Sequence, residues 1–515
     1  MTPGSDASRS DDSRPGDGAT RPNILLVLAD QVVPFLLGAY GDPVARTPNL
    51  DALAARGVRF DAAYTPDPLC APARAALLTG RDASAIGAYD NASVMPSDVP
   101  TLGHYLAAEG YDTVLTGKMH FIGADQLHGF RQRLTTDVFP AGVDWVPVVD
   151  EDGRFPAGGH ARHYASPDPG VRTWTQFLAF DEETQFRALE YLRGRGLAGR
   201  NELGAAEPFA MVVSYHHPHD PFHVPQAFWD LYDGVDIPLP DLADDAGLPV
   251  SEMDRWANEA HGTADYDLRD PGSLRTLRRA YYAALSYVDA KVGELVAALE
   301  GSGELDRTVI LFTSDHGDML GERGMVQKRC FYEFSARVPF TLTLPDGAHA
   351  GTSVRQPVSL IDVLPTLLDL AGVAEQRRAP IDGRSVLPLL GEEADGSAHE
   401  ERTIFSEYHL EKVRAPCFMV RRGDLKYIYV HGSDRQLFDL ASDPGERIDL
   451  SGRPEWAEAQ AELHALILER FDPDALQAAG HATIGPRVLI AEAMRRNGTS
   501  WDYTPVFDGR TKYVR

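Results

Sequence analysis

Cys70 and Arg74 stand four residues apart in Cys70-Ala71-Pro72-Ala73-Arg74, and Leu78-Thr79-Gly80-Arg81 follows shortly after. The segment reads as a helix start, with Pro72 in the first turn, where its missing N–H costs little. At that spacing both side chains share one helix face. The amino end of a helix favours anions, and Arg74 adds a fixed positive charge beside the thiol. Taken alone, the pair is equally readable as a buried cysteine with an incidental arginine.

Other chemically capable residues fall into short runs. Asp30-Gln31 and Asp315-His316 offer two carboxylates, an amide oxygen and an imidazole. Oxygen donors suit a hard divalent cation, while the His316 nitrogen also accepts manganese or a softer ion. Asp30-Gln31 by itself also fits a helix cap or polar loop. Lys118 and His120 flank Met119, and in extended backbone positions i and i+2 aim a cation and a titratable ring to one side. His216-His217-Pro218-His219-Asp220-Pro221 is a histidine-rich loop in which His219 is the functional candidate. Lys328 lies twelve residues after His316 and reads, without context, as a solvated lysine.

These residues need elements to position them. Asn23–Ala29, Phe209–Tyr215 and Thr308–Ser314 are continuous apolar runs of strand length. Thr47–Gly57 has a helix start and a glycine stop, and Leu274–Leu299 is a long helical pattern. Alternating strands and helices predict an α/β domain with a mixed, mostly parallel central sheet flanked by helices. Each apolar run ends in polar residues: Asp30-Gln31, His216 to His219, and Asp315-His316. Ligands in such sheets sit beyond the carboxyl ends of the strands, which points to one shared site. From about residue 395 the pattern changes to short strands (Arg402–Ser406, Phe418–Arg421, Lys426–Tyr429) and an amphipathic helix at Pro454–Phe471. The expected organisation is a disordered leader (1–20), a catalytic α/β domain (21–394), a smaller α+β domain (395–484) and an extended tail (485–515).

Composition narrows the partners. With 515 residues, 43% of them hydrophobic, the chain can build a large core. Its first twenty residues lack the apolar stretch of a signal peptide, and no run approaches the ~20 residues of a membrane helix. Cys70, Cys330 and Cys417 are too few for a disulfide framework, so a reducing, cytoplasmic setting is expected. There the sequons at Asn91 and Asn497 carry no meaning. The 49 basic against 76 acidic residues leave a net charge of −27. That charge argues against nucleic acid or anionic membrane and favours a cationic substrate.

Residues 21–131 and 308–340 resemble the sulfatase branch of the alkaline phosphatase superfamily. The Cys-x-Pro-x-Arg pattern is the one at which sulfatases convert cysteine to formylglycine. Ile86–Asn91, Gly117–Phe121, Asp125–Phe130, Leu134-Thr135-Thr136-Asp137 and Ser314–Gly324 are similar to choline sulfatases in particular. The likeness continues more weakly through His217–Pro221, Asp382–Ser385 and the tail. The resemblance implies that Cys70 becomes formylglycine and holds one divalent metal together with Asp30, Gln31, Asp315 and His316. Calcium is the expected metal and manganese the alternative. It further implies that Arg74 and Lys118 stabilise the nucleophile, that His120 assists sulfate release, and that His219 and Lys328 contact sulfate and the leaving oxygen. Ala73 departs from the serine of most sulfatases. Gln31 and His316 depart from the commoner Asp-Asp and Asp-Asn pairs, a change shared with choline sulfatases and phosphonate monoester hydrolases.

The same resemblance implies a substrate. Asn91 lines the sulfate pocket, and Trp145 supplies an aromatic face to a quaternary ammonium. Glu407 or Glu411 supplies charge, and Asp502 does so across a subunit contact; His160 and His163 are further candidates. Choline-O-sulfate is the first substrate. A phosphonate monoester or phosphodiester is the alternative, and an unmodified Cys70 would leave a sulfated-solute binding protein. A formylglycine-generating maturation enzyme and a homo-oligomer, dimer or tetramer, are the implied partners.

Overall fold

The computed structural model describes residues 21–143, 168–198, 207–240, 247–261, 263, 268, 270–390 and 401–505. Its centre is an eight-stranded sheet built from β1 (Asn23–Ala29), β2 (Val58–Phe60), β3 (Asp112–Gly117), β4 (Gln132–Arg133), β5 (Phe209–Tyr215), β6 (Thr308–Thr313), β7 (Phe340–Thr343) and β8 (Thr352–Val354). The spatial order is β8-β2-β7-β6-β1-β5-β3-β4. Pairing is parallel throughout except at β7, which runs antiparallel to β6 and β2.

The apolar runs become strands because both faces of the sheet are covered. Leu26 on β1 lies opposite Val212 on β5 and Leu311 on β6. Its neighbours alternate between two cores. Ile24, Leu26 and Leu28 pack with Leu77 and Leu78 of α1 (Cys70–Thr79) and with Leu364 and Leu367 of α4 (Val363–Leu370). Leu25, Val27 and Ala29 pack on the opposite face, with α2 (Gln176–Ala198) and α3 (Pro271–Ser302). Each such Leu or Val buried contributes about 1.5–3 kcal/mol.

β6, β1, β5 and β3 are consecutive parallel neighbours, so their carboxyl ends share one edge. Asp315-His316, Asp30-Gln31, the His216–His219 loop and Lys118–His120 therefore emerge side by side. Two glycines make this arrangement possible. Gly117 ends β3 at φ +94°, where a Cβ would meet the Ser214 carbonyl oxygen at 1.9 Å. Gly80 closes α1 at φ +64°, and its carbonyl accepts the Asp382 and Gly383 amides at 2.8 and 3.0 Å.

The C-terminal part holds an antiparallel sheet of β9 (Thr403–Tyr408), β10 (Cys417–Arg422), β11 (Leu425–Val430) and β12 (Arg435–Asp439). Strand alternation divides it. Phe418 and Val420 face α5 (Ala457–Arg470), while Cys417 and Met419 pack towards Tyr64, Leu69 and Phe331. The tail begins as a further helix, α6 (Ile484–Asn497). Among the described residues no helix is long and apolar enough to cross a membrane.

Candidate active site

Asp30, Cys70, Asp315 and His316 each place a ligand atom within 4.8 Å of all the others, and all four are buried. Cys70 Sγ lies 3.1 Å from His316 Nε2. The other His316 nitrogen, Nδ1, faces the Gly317 carbonyl at 3.0 Å, which assigns it the proton and leaves the Nε2 lone pair turned inward. Nε2 also stands 3.8 Å from both Asp30 Oδ1 and Asp315 Oδ2. Asp30 Oδ1 is buried with no hydrogen-bond donor. An orphaned carboxylate oxygen, a second carboxylate and an inward imidazole lone pair are a donor set that fits a divalent cation.

Two buried cations offset the carboxylates. Arg74 Nε donates to Asp315 Oδ2 at 2.8 Å, and another guanidinium nitrogen reaches Asp30 Oδ2 at 3.1 Å. Its third nitrogen donates to the Lys118 carbonyl and to Ser214 Oγ at 2.6 and 2.8 Å. Lys118 Nζ bonds the same Asp30 oxygen and sits 4.5 Å over the Phe139 ring. Burial and then Cys70 would raise the Asp30 carboxyl, but Lys118, His219 and Arg74 outweigh them and hold it low. Burial likewise opposes ionisation of the Cys70 thiol. Lys118, Lys328, His316 and a bond from His120 overcome it and bring the thiol well below its ordinary range.

The strand-end loops supply the rest. The backbone at His120 is not extended: φ is +58°, in the left-handed region, so the i, i+2 expectation fails for Lys118 and His120. Asp137 accounts for the turn, accepting the Met119 and His120 amides at 2.9 and 2.8 Å. His219 lies between two cis prolyl bonds. Its Nδ1 faces Asp220, 2.8 Å from the carbonyl and 3.0 Å from the carboxylate, and its Nε2 stands 2.9 Å from Lys328 Nζ. Burial and Lys328 push this imidazole down, yet Asp220 and Asp30 outweigh them and raise it to about 9. Gln31, at φ +72°, accepts from Lys328 through its amide oxygen and donates to Asp318.

The residues expected to recognise substrate are more dispersed in their bonding. Asn91 Oδ1 accepts the Ala71 amide at 2.9 Å, beside residue 70. The Asn91 backbone N–H in turn donates to Glu411 at 3.2 Å, and Glu411 also pairs with Arg329 at 2.5 Å. Glu407 accepts the Ser84 amide and meets His409 Nε2, both at 2.8 Å. Asp502 accepts the Ala141 amide of its own chain at 2.8 Å. Trp145, His160 and His163 fall outside the described residues. Asp137, Asp220, Asp318, Ser214 and Arg329 join the site without having been singled out as candidates. Asp137, Asp220 and Asp318 lie inside runs already singled out, Leu134–Asp137, His217–Pro221 and Ser314–Gly324, whereas Ser214 and Arg329 carried no such signal. Asp67 is a further addition: it is buried, and neither carboxylate oxygen has a hydrogen-bond partner. Burial, then Glu407, Glu411, Asp90 and Cys70, raise its carboxyl well above the usual range.

The family profile described as Sulfatase matches residues 22–373. A second, N-sulphoglucosamine sulphohydrolase, C-terminal, matches residues 321–472. Choline-sulfatase of Rhizobium meliloti (strain 1021) is 38% identical over 503 residues, covering 96% of each chain. A multifunctional alkaline phosphatase superfamily protein of Trinickia caryophylli is 30% identical, over 85% of this chain and 93% of that one. Among solved structures, a phosphonate monoester hydrolase of Agrobacterium radiobacter superposes with a TM-score of 0.66 at 26% identity, covering 87% of this chain and 95% of that one. The match over most of the sheet-bearing region, with the buried cluster at its strand ends, shows that the chain belongs to the sulfatase family of the alkaline phosphatase superfamily and is a sulfuric ester hydrolase.

Proposed function

We propose that this hydrolase cleaves choline-O-sulfate to choline and sulfate, with Cys70 matured to formylglycine. The observation that carries the chemistry is the convergence of Asp30, Asp315 and His316 on residue 70 at the amino end of α1. Support for choline comes from the 38% identity to a choline-sulfatase across nearly the whole chain and from the acidic surface.

Asp30, Asp315 and His316, with residue 70 and the Gln31 amide oxygen, are the groups to hold one divalent cation, calcium before manganese. Bound there, the cation would lower the cost of ionising a neighbouring hydroxyl, and hydrated formylglycine would supply that hydroxyl as the nucleophile towards sulfur. The chain's own residues do the remaining work. Arg74 and Lys118 hold the Asp30 carboxyl low, Arg74 pairs with Asp315, and both place positive charge beside residue 70. Lys328 Nζ, or His219 Nε2 beside it, donates a proton to the departing alkoxide oxygen. His120 accepts the proton that must leave as sulfate is released. Asn91 is the proposed sulfate contact, and its hydrogen bond to the Ala71 amide, next to residue 70, supports that reading.

For the choline portion, Trp145 is the proposed aromatic face, with Glu407, Glu411 and Asp502 as the charged groups. Glu407 and Glu411 already have His409 and Arg329 as partners, so their share of the work is to balance charge around the pocket. The likeness to a phosphonate monoester hydrolase supports a second reading, in which the same site cleaves phosphonate monoesters. We also propose a cytoplasmic homo-oligomer matured by a formylglycine-generating enzyme.

The test is a panel of choline-O-sulfate, other sulfate esters and a phosphonate monoester, assayed on protein whose Cys70 conversion is verified by peptide mass spectrometry. Choline-O-sulfate should have the highest kcat/KM and Cys70→Ala should abolish turnover. A higher kcat/KM for the phosphonate monoester would favour the second reading. An intact thiol with no turnover, in a host able to carry out maturation, would leave a binding protein.

A further inference from the structure

Asp137 follows β4 in the Leu134–Asp137 motif, seventeen residues beyond His120, and its side chain is nearly inaccessible to solvent. Its two oxygens collect four backbone amides. Oδ2 accepts from Met119 and His120 at 2.9 and 2.8 Å, and Oδ1 from Val138 and Phe139 at 2.8 and 3.4 Å. Arg133 pairs with the same Oδ2 at 2.9 Å.

A ring of bonds continues from there. Arg133 donates to Gln126 through its carbonyl and amide oxygens at 3.1 and 2.6 Å. Gln126 Nε2 donates to the Phe121 and Gly123 carbonyls, each at 2.9 Å. Asp137, Arg133 and Gln126 thus brace the Met119–Gly123 turn from inside. On its other side Asp137 anchors Phe139, whose ring lies 4.5 Å under Lys118 Nζ and 5.0 Å from the His120 ring. Successive N–H groups turned onto one anion form a concave backbone cradle. Here the anion is a side chain of the protein, and the strained left-handed φ of His120 is held by the bonds it accepts.

We propose that Asp137 is a positioning residue for hydrolysis: by clamping the Met119 and His120 amides and seating Phe139, it sets the direction in which Lys118 and His120 approach residue 70. The inference rests on the sulfatase reading for its catalytic consequence, while the clamp itself is a property of the folded chain. Removing the carboxylate frees the turn to relax towards extended backbone, which would carry the His120 ring away from Phe139 and the Lys118 amine away from Asp30. Binding of the sulfate ester would survive, because His219, Lys328 and Asn91 hang from other elements.

Hydrogen exchange on the wild-type protein should find the Met119 and His120 amides strongly protected; rapid exchange there would overturn the clamp without any variant being made. In Asp137→Asn, which keeps the side-chain shape, exchange should quicken within residues 117–123 and stay unchanged in β1, β5 and β6. On protein with verified Cys70 conversion, kcat should fall about 10- to 100-fold with KM held within about twofold. An unchanged kcat would overturn the proposal, and so would a loss of protection spread over the whole sheet. A wild-type protein with complete conversion and no sulfate-ester turnover would count against the functional reading and leave the exchange result standing.

Discussion

Lys328 Nζ lies 2.9 Å from His219 Nε2, and the two basic groups come from loops more than a hundred residues apart. Asp220 and Gln31 hold them there from opposite ends. Two basic nitrogens held at hydrogen-bond distance form the place from which a proton could be handed to a departing oxygen.

Replacing either member should therefore cost rate according to how much the leaving group needs a proton. Lys328→Ala and His219→Ala are each expected to lower kcat for an alkyl sulfate about 100- to 10,000-fold. For an aryl sulfate with a weakly basic phenolate the loss should be much smaller. Equal losses on the two substrates would remove both residues from the protonation step.

Arg74 is expected to matter to stability as much as to chemistry. Its guanidinium bonds Asp30, Asp315, Ser214 and the Lys118 carbonyl in a fully buried setting. Arg74→Ala leaves the buried Asp315 carboxylate without its cationic partner and Asp30 with Lys118 alone, a change that costs about 3–5 kcal/mol. Urea unfolding of metal-stripped wild type and variant measures it. A difference below about 1 kcal/mol would show that Lys118 alone suffices to balance the site.

Cation removal tests the donor cluster. Asp30, Asp315 and His316 bring two carboxylates and an inward imidazole nitrogen together at residue 70, so chelation should destabilise the fold as well as stop turnover. Added calcium or manganese should raise the unfolding free energy in a concentration-dependent way, by about 2.7 kcal/mol at a hundredfold excess over Kd, and the midpoint with it. A midpoint indifferent to chelator and to both metals would refute a cation site at these residues.

Asp67 makes a prediction with a definite sign. Its carboxyl is raised above the ordinary 3.8, so the folded state binds the proton more tightly than the unfolded chain does. The stability it lends is fully present below that value and is lost as pH rises from it towards the folded-state value. Asp67→Asn removes the titration. The variant should gain stability relative to wild type as pH climbs from about 4 through the mildly acidic range. A stability difference that stays flat with pH would mean the carboxyl has a partner that keeps it charged.

Much of the site was legible in one dimension because its parts lie at strand ends and helix starts, where local rules apply. The apolar run Asn23–Ala29 announces a doubly covered strand, and the polar pair after it announces what the strand presents. The Cys70–Arg74 spacing follows from helical geometry alone, and the acidic surface and the absence of a disulfide framework follow from composition. Tertiary structure decided the partners. Strands as short as Val58–Phe60 carry no readable period, so the order that sets β6, β1, β5 and β3 side by side comes from packing both cores at once. The left-handed turn at His120 depends on a carboxylate seventeen residues away. Glu411 offers a negative charge on paper, yet Arg329 has already taken it in space. A side chain's chemistry is written in its type, but which charge it meets is settled by long-range burial, where each polar group must find a partner among whatever the fold brings near.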